Sequence, residues 1–204
     1  MNRIICSIAA CAGMAVAGGA CAGQPAGNLD IYYLASSRLD LEVSGIGSAT
    51  FDGDGFGVRG RVNLPPNFFL HGAYQQGNHD KNGVNADLDD LRLGGGAQIP
   101  ATPFYGSLEL VNLKLSSGGS SSSESGFGIH AGALLQFDAL SLNAEVGYLS
   151  VGDAGNGAEY LVGGAFNFTP QWAFVADYRV TQLEKDGVTT KPQDARVGVR
   201  YNFR

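Results

Sequence analysis

"GFGVRGRVNL", residues 55–64, puts Phe56, Val58, Val62 and Leu64 on one side of an extended chain and Arg59, Arg61 and Asn63 on the other. A strand with hydrocarbon on one face and guanidinium on the other must separate two different environments, because neither group is stable in the other's medium. Working outward, "FFLHGAYQQ" at 68–76 repeats the pattern, with Phe68, Leu70 and Tyr74 opposed to His71, Ala73 and Gln75. Residues 29–36 do the same on the N-terminal side. Further period-two segments run over 88–98, 104–113, 126–137, 140–151, 159–168, 172–181 and 194–203. That makes ten strands, longer than the ~5–6 residues usual in soluble sheets.

The connections alternate in length. "PPN", "PATP", "DA" and "TPQ" join strands two and three, four and five, six and seven, and eight and nine. Between them the polar stretches 37–54, 78–87, 114–125, 152–158 and 182–193 read as long loops, with the serine run 120–123 as a flexible one. A meander with an even strand count, short turns at one end and long loops at the other, has the organisation of a closed antiparallel up-and-down transmembrane β-barrel. Eight strands is the alternative, if the first segment and a neighbour are not strands. Tilted by ~40°, a ten-residue strand covers the ~25 Å apolar band of an outer membrane. Trp172, Phe174, Ala176, Tyr178 and Val180 would then meet lipid while Asp177, Arg179 and Thr181 face inward. Phe68, Phe104, Phe137, Phe168, Trp172 and Phe203 gather near the short-turn end as an interfacial girdle. A soluble sandwich or lipocalin-like barrel would turn these faces the other way.

Composition agrees with a folded, turn-rich chain: of 204 residues, 44% are hydrophobic and 16% charged, with 31 glycines. The net charge of −6 and the absence of a basic patch argue against nucleic acid as a partner. Residues 1–22 read as a signal peptide, with Arg3, an apolar run and an Ala20-Cys21-Ala22 cleavage site. All three cysteines fall in that segment. A short tail at 23–28 and a barrel over 29–204 follow, and no stretch past residue 22 has the ~18 apolar residues of a spanning helix.

The expected inner face is ionic: Arg59, Arg61, His71, Asp90, Arg92, Glu109, His130, Glu145, Asp177, Arg179, Arg196 and Arg200. Pairing Leu113 with Gly126 sets Glu109 opposite His130, and pairing Phe137 with Leu140 sets Glu145 opposite Gly132. A histidine near two glutamates has the makings of a base or a metal site. The expectation here is instead a salt-bridge network that fills a narrow lumen, with no cofactor and no metal. Asp52 and Asp54, or Asp87, Asp89 and Asp90, suit calcium in chemistry but lack an EF-hand spacing, and read as turn residues.

Arg196-x-Gly198-x-x-Tyr201-x-Phe203 resembles the C-terminal assembly signal of bacterial outer-membrane barrels, which the barrel-assembly machinery recognises; here Arg204 follows the aromatic. "DGDGFGVRG" at 52–60, "NFFLHGAY" at 67–74 and "WAFVADYR" at 172–179 resemble the small outer-membrane barrels induced by diffusible signals in xanthomonads and their relatives. That resemblance implies an outer-membrane location and supplies no active-site residues. Asp87-Leu88-Asp89 resembles half of the paired-aspartate site of omptin proteases, but no Asp-x-His stands on a later strand. Neither His71 nor His130 is followed by the serine of outer-membrane lipid A deacylases. The expected function is therefore non-enzymatic: a structural or surface-interaction role through external loops, embedded in outer-membrane lipid, with the loop ligand undefined. A narrow channel for small polar solutes or ions is the alternative, and a lumen- or loop-based hydrolase comes third.

Overall fold

The computed structural model describes residues 25–45, 47–81 and 84–203. The expected signal peptide lies outside them. Ten strands run in chain order: β1 (Gly27–Val43), β2 (Gly47–Leu64), β3 (Phe68–Lys81), β4 (Val84–Gln98), β5 (Phe104–Ser117), β6 (Ser120–Phe137), β7 (Leu140–Val151), β8 (Gly155–Asn167), β9 (Trp172–Lys185) and β10 (Val188–Phe203). Each pairs antiparallel with its neighbours, and β1 pairs with β10 from Gly27↔Phe203 to Val43↔Val188, closing the barrel. Closure leaves no sheet edge within the apolar band, where an unpaired backbone would be intolerable. The connections 65–67, 99–103, 138–139 and 168–171, the start of β1 and the end of β10 share one end, called here the terminal end. The opposite end is the far end.

The long loops expected at the far end are not loops. Residues 37–43, 47–54, 114–117, 120–125 and 188–193 continue the ladders, and the serine run 120–123 is part of β6, where Ser117 pairs with Ser120. The turns are tight. Gly118 and Gly119 have φ of 58° and 86°, and Asp186 and Gly187 have 52° and 78°, the doubly positive pattern of a two-residue hairpin turn that matches strand twist. Asp52, Asp54, Asp87 and Asp89, expected in turns, are strand residues. The 18-residue strands rise ~60 Å and, tilted by ~40°, reach ~45 Å along the axis, well beyond a ~25 Å apolar band.

The polarity of the wall explains why. Through the terminal half the outer face is apolar and exposed, as at Ile31, Leu93, Leu108, Leu110, Phe127 and Phe174, while Asp30, Arg92, Glu109 and Arg179 are buried inside. Toward the far end the faces exchange chemistry. On β4, Leu91 and Leu93 point out and Asp90 and Arg92 in; one turn of the pleat further, Asp87 and Asp89 point out and Ala86 and Leu88 in. On β1 a bulge between Leu34 and Ser36 accompanies the switch, after which Leu39 is buried and Arg38 and Asp40 line the outside. Buried Val111, Leu149, Val151 and Leu183, with Leu113 and Ala154 against them, form an apolar core inside this part. The far half is thus built like a soluble barrel standing on a membrane-type one.

Tyrosines mark the boundary. Tyr33, Tyr74, Tyr148, Tyr160 and Tyr178 face outward there, and the hydroxyls of Tyr33, Tyr74 and Tyr178 donate to Asp54 (2.6 Å), Asp89 (3.3 Å) and Gln193 (2.9 Å). An apolar ring with a hydrogen-bonded tip suits an interface. The expected girdle of Phe68, Phe104, Phe137, Phe168, Trp172 and Phe203 rims the terminal end, where Trp172 lies 5.0 Å from Tyr201 and Phe168 4.7 Å from Phe174, ring centre to ring centre.

Candidate functional site

All twelve residues expected on the inner face point into the lumen, where they divide into two groups. Near the terminal end, Asp30 is fully buried and accepts from Arg59 at 2.7 Å and from Arg200 at 2.6 Å. Arg59 reaches across to Asp177 at 2.8 Å, and Arg196 also donates to Asp177. Because Asp30 sits on β1 between β2 and β10, these bonds tie the closing seam. Asp30→Ala would leave Arg200 without an acidic partner and Arg59 with Asp177 alone, and breaking such a buried pair costs about 3–5 kcal/mol. The expected result is a lower temperature for the folded-to-unfolded gel shift; an unchanged temperature would show that water replaces the carboxylate.

The second group lies deeper. Arg92 donates to Asp90 at 3.0 Å, to Glu109 at 2.9 Å and to Glu159 at 2.7 Å, joining three strands. Arg179 on β9 pairs with Asp90 on β4 at 3.0 Å, directly across a ten-stranded ring, and with Asp194 at 3.2 Å. His130 Nε2 is 3.0 Å from Glu109, and its Nδ1 is 3.5 Å from Glu145, too long for a hydrogen bond. Tyr105 donates to Glu145 at 2.7 Å. His71 points inward with a buried Nε2 that has no partner among the described residues. Arg61 is held apart from the carboxylates, donating to Asn63 at 3.0 Å with its guanidinium 3.7 Å over the Phe69 ring.

One expected pairing is displaced. Glu109 stands opposite Gly128, and His130 opposite Ser107, because the Gly118-Gly119 turn sets Val111 against Gly126. A shift of two residues preserves the face, so Glu109 and His130 still touch along a diagonal. Glu145 is opposite Gly132, as Phe137↔Leu140 pairing requires.

The lumen also holds groups that the alternation of faces does not single out. Asp30, Glu159 and Asp194 sit at or near strand starts in the sequence, yet each holds an arginine. Ser37 and His79, expected in loops, meet inside: Ser37 Oγ donates to Asp194 at 2.7 Å and lies 2.9 Å from His79 Nε2. With its proton on the carboxylate and 2% exposure, Ser37 is positioned as a strut rather than a nucleophile. Glu109, His130 and Glu159 bring donor atoms within 4.8 Å of one another, the spacing of a metal triad. Arg92 already bonds both carboxylates, so a cation would have to displace a guanidinium. Asp87 and Asp89, the omptin-like pair, face outward and away from the lumen. At the exposed far-end turn before β8, Lys185 pairs with Asp153 and holds its carboxyl below the usual carboxylate range.

On the last strand, Arg196 and Gly198 face inward while Tyr201 and Phe203 join the outer apolar surface. A ten-stranded wall that is apolar outside, ionic inside and rimmed by aromatic residues defines an integral membrane β-barrel. Residues 8–203 match the model of the outer membrane protein β-barrel domain, and the chain belongs to that family. Its place is therefore the outer membrane of a Gram-negative bacterium. No curated protein matches the chain. Among solved structures it is similar to Neisserial surface protein A (16% identity, TM-score 0.52, covering 89% of this chain and 99% of that one). It is also similar to the translocator domain of the autotransporter NalP from Neisseria meningitidis (16%, 0.52, 97% and 94%). A third is the outer membrane protease OmpT from Escherichia coli (11%, 0.55, 87% and 96%). At these identities the likeness is one of fold alone.

Proposed function

We propose that this protein is a non-conducting, non-enzymatic outer-membrane barrel whose far end forms a rigid β-structured collar outside the cell for contact with surface partners. The carrying observation is that the lumen is bridged twice: by ion pairs across its width, as from Arg179 to Asp90, and by the apolar cluster of Val111, Leu149, Val151 and Leu183 beyond them. Paired charges and close-packed hydrocarbon leave ions no hydrated path. In this reading the terminal end faces the periplasm, the signal peptide is cleaved near Ala22, and the assembly machinery recognises β10 through Arg196, Gly198, Tyr201 and Phe203. The glycine and aromatic pattern shared with the diffusible-signal-induced barrels of xanthomonads fits this role. The collar differs from mobile loops in presenting fixed outward rows, such as Arg38, Asp40 and Asp52, so binding to it carries little ordering cost. Non-enzymatic function is supported by the burial of Ser37, whose contact with His79 is the one hydroxyl–imidazole pair among the described residues.

Single-channel recording of the refolded protein in planar bilayers, beside a gel assay for heat-modifiable migration, tests this reading. A heat-modifiable barrel without steady conductance is expected. Steady, ion-selective conductance would overturn it in favour of the narrow channel, with the lumen arginines as the selectivity filter.

A further inference from the structure

We propose that the terminal-end vestibule of the lumen is a binding site for a small oxyanion, a carboxylate or a phosphate, with Arg61 as its principal ligand. The first observation is one of charge. Arg59, Arg61, Arg196 and Arg200 share this region with three carboxylates, Asp30, Asp177 and Glu145; the other three arginines take all the ion pairs that Asp30 and Asp177 make, and no arginine pairs with Glu145 among the described residues. Arg61 enters no ion pair among the described residues. An arginine in the wall of a membrane barrel is stable only when it is hydrated or paired.

The second observation is preorganisation. The Arg61 guanidinium carbon lies 3.7 Å from the centre of the Phe69 ring and 5.9 Å from that of Tyr105, and those two rings meet edge to face at 5.8 Å. Its Nε donates to Asn63 at 3.0 Å, which fixes the plane and leaves both Nη groups without a partner among the described residues. A planar guanidinium with its outer edge free presents parallel N–H donors at the spacing of two oxygens on one carbon or phosphorus. Glu145, the neighbouring acid, is already engaged by the Tyr105 hydroxyl at 2.7 Å.

The third observation is access. Arg59 and Arg200 face inward yet keep 25% and 21% of their side-chain surface exposed, so the surface they expose is lumen surface. Arg61 lies two residues nearer the terminal end than Arg59 on the same strand. Deeper in, Arg92 is 7% exposed and the apolar cluster is closed, so the vestibule is blind. A solute reaching Arg61 enters from the terminal end and leaves the same way, which makes this a binding site and not a segment of a pore. The site shares the closed lumen with the proposed function and goes beyond its surface role.

The test uses the barrel refolded in a neutral sugar detergent, with arginine side chains labelled for NMR. It is titrated separately with sodium phosphate and sodium acetate, and with sodium chloride at matched ionic strength. A saturable shift of the Arg61 Nε–H with phosphate or acetate, absent with chloride, is expected, and the oxyanion that saturates first names the ligand class. Arg61→Gln should weaken the binding, followed through the remaining arginine signals, by about tenfold or more. Arg61→Lys keeps the charge without the planar fork and should weaken it by a smaller factor; it carries the comparison if Arg61→Gln fails the heat-modifiability check. A chloride response equal to that of the oxyanions, no response to either oxyanion, or binding that survives both substitutions would overturn the site.

Discussion

Arg92→Ala is expected to refold poorly, with a urea midpoint well below that of the wild type. Arg92 is the counter-charge for Asp90, Glu109 and Glu159, which come from β4, β5 and β8 and are all buried. Without it the three buried carboxylates face one another inside the lumen, with Arg179 and His130 as the cationic or titratable groups in contact with them. Removing one partner of a buried charge pair costs about 3–5 kcal/mol, a large share of an ordinary domain's stability. Urea midpoints followed by heat-modifiable migration measure the loss. An unchanged midpoint would mean that water in the lumen already screens these acids.

Gly126→Val should abolish refolding altogether. Gly126 faces inward between Val111 on β5 and Val151 on β7, and a Cβ there would run into the main chain of Ser150 and stand 2.5 Å from the Val151 Cα. Side chains can swing aside, but this obstacle is backbone, held in the β6–β7 ladder and tied by the two-residue connection at 138–139. Overpacking usually costs about 1–3 kcal/mol where rotamers can adjust, and more where they cannot. Ala131→Val provides the contrast, because Ala131 lies on the outer face opposite Val146. It should refold like wild type. If both variants refold equally, the inner wall at Gly126 is looser than the ladder implies.

Much of the barrel was readable because period-two alternation reports directly on a wall with two environments. "GFGVRGRVNL" showed both faces of β2 from the residues alone, and the twelve inner residues followed from the same parity. The far end was misread although its signal was present. "RLDLEV" at 38–43 alternates as cleanly as any spanning segment, and Gly118-Gly119 and Asp186-Gly187 are hairpin dipeptides. Polar composition suggests loop, yet here it marks strands whose outer face has left the apolar band. "DLDDLRL" at 87–93 records that change of medium, since its aspartates and leucines exchange faces midway.

The class of wall follows from the residues alone: strand after strand whose two faces need different media admits no fold but one that separates them. Which charges meet depends on the closed ring. Asp30 with Arg200, Arg92 with Glu159 and Arg179 with Asp90 are 170, 67 and 89 positions apart. Their distances depend on strand tilt, the β1 bulge and the register each turn imposes, and a register shift of two residues leaves the alternation of faces unchanged while altering every pair. Arg61 shows the same limit from the other side, because parity placed it inside and only closure of the ring left it without a carboxylate.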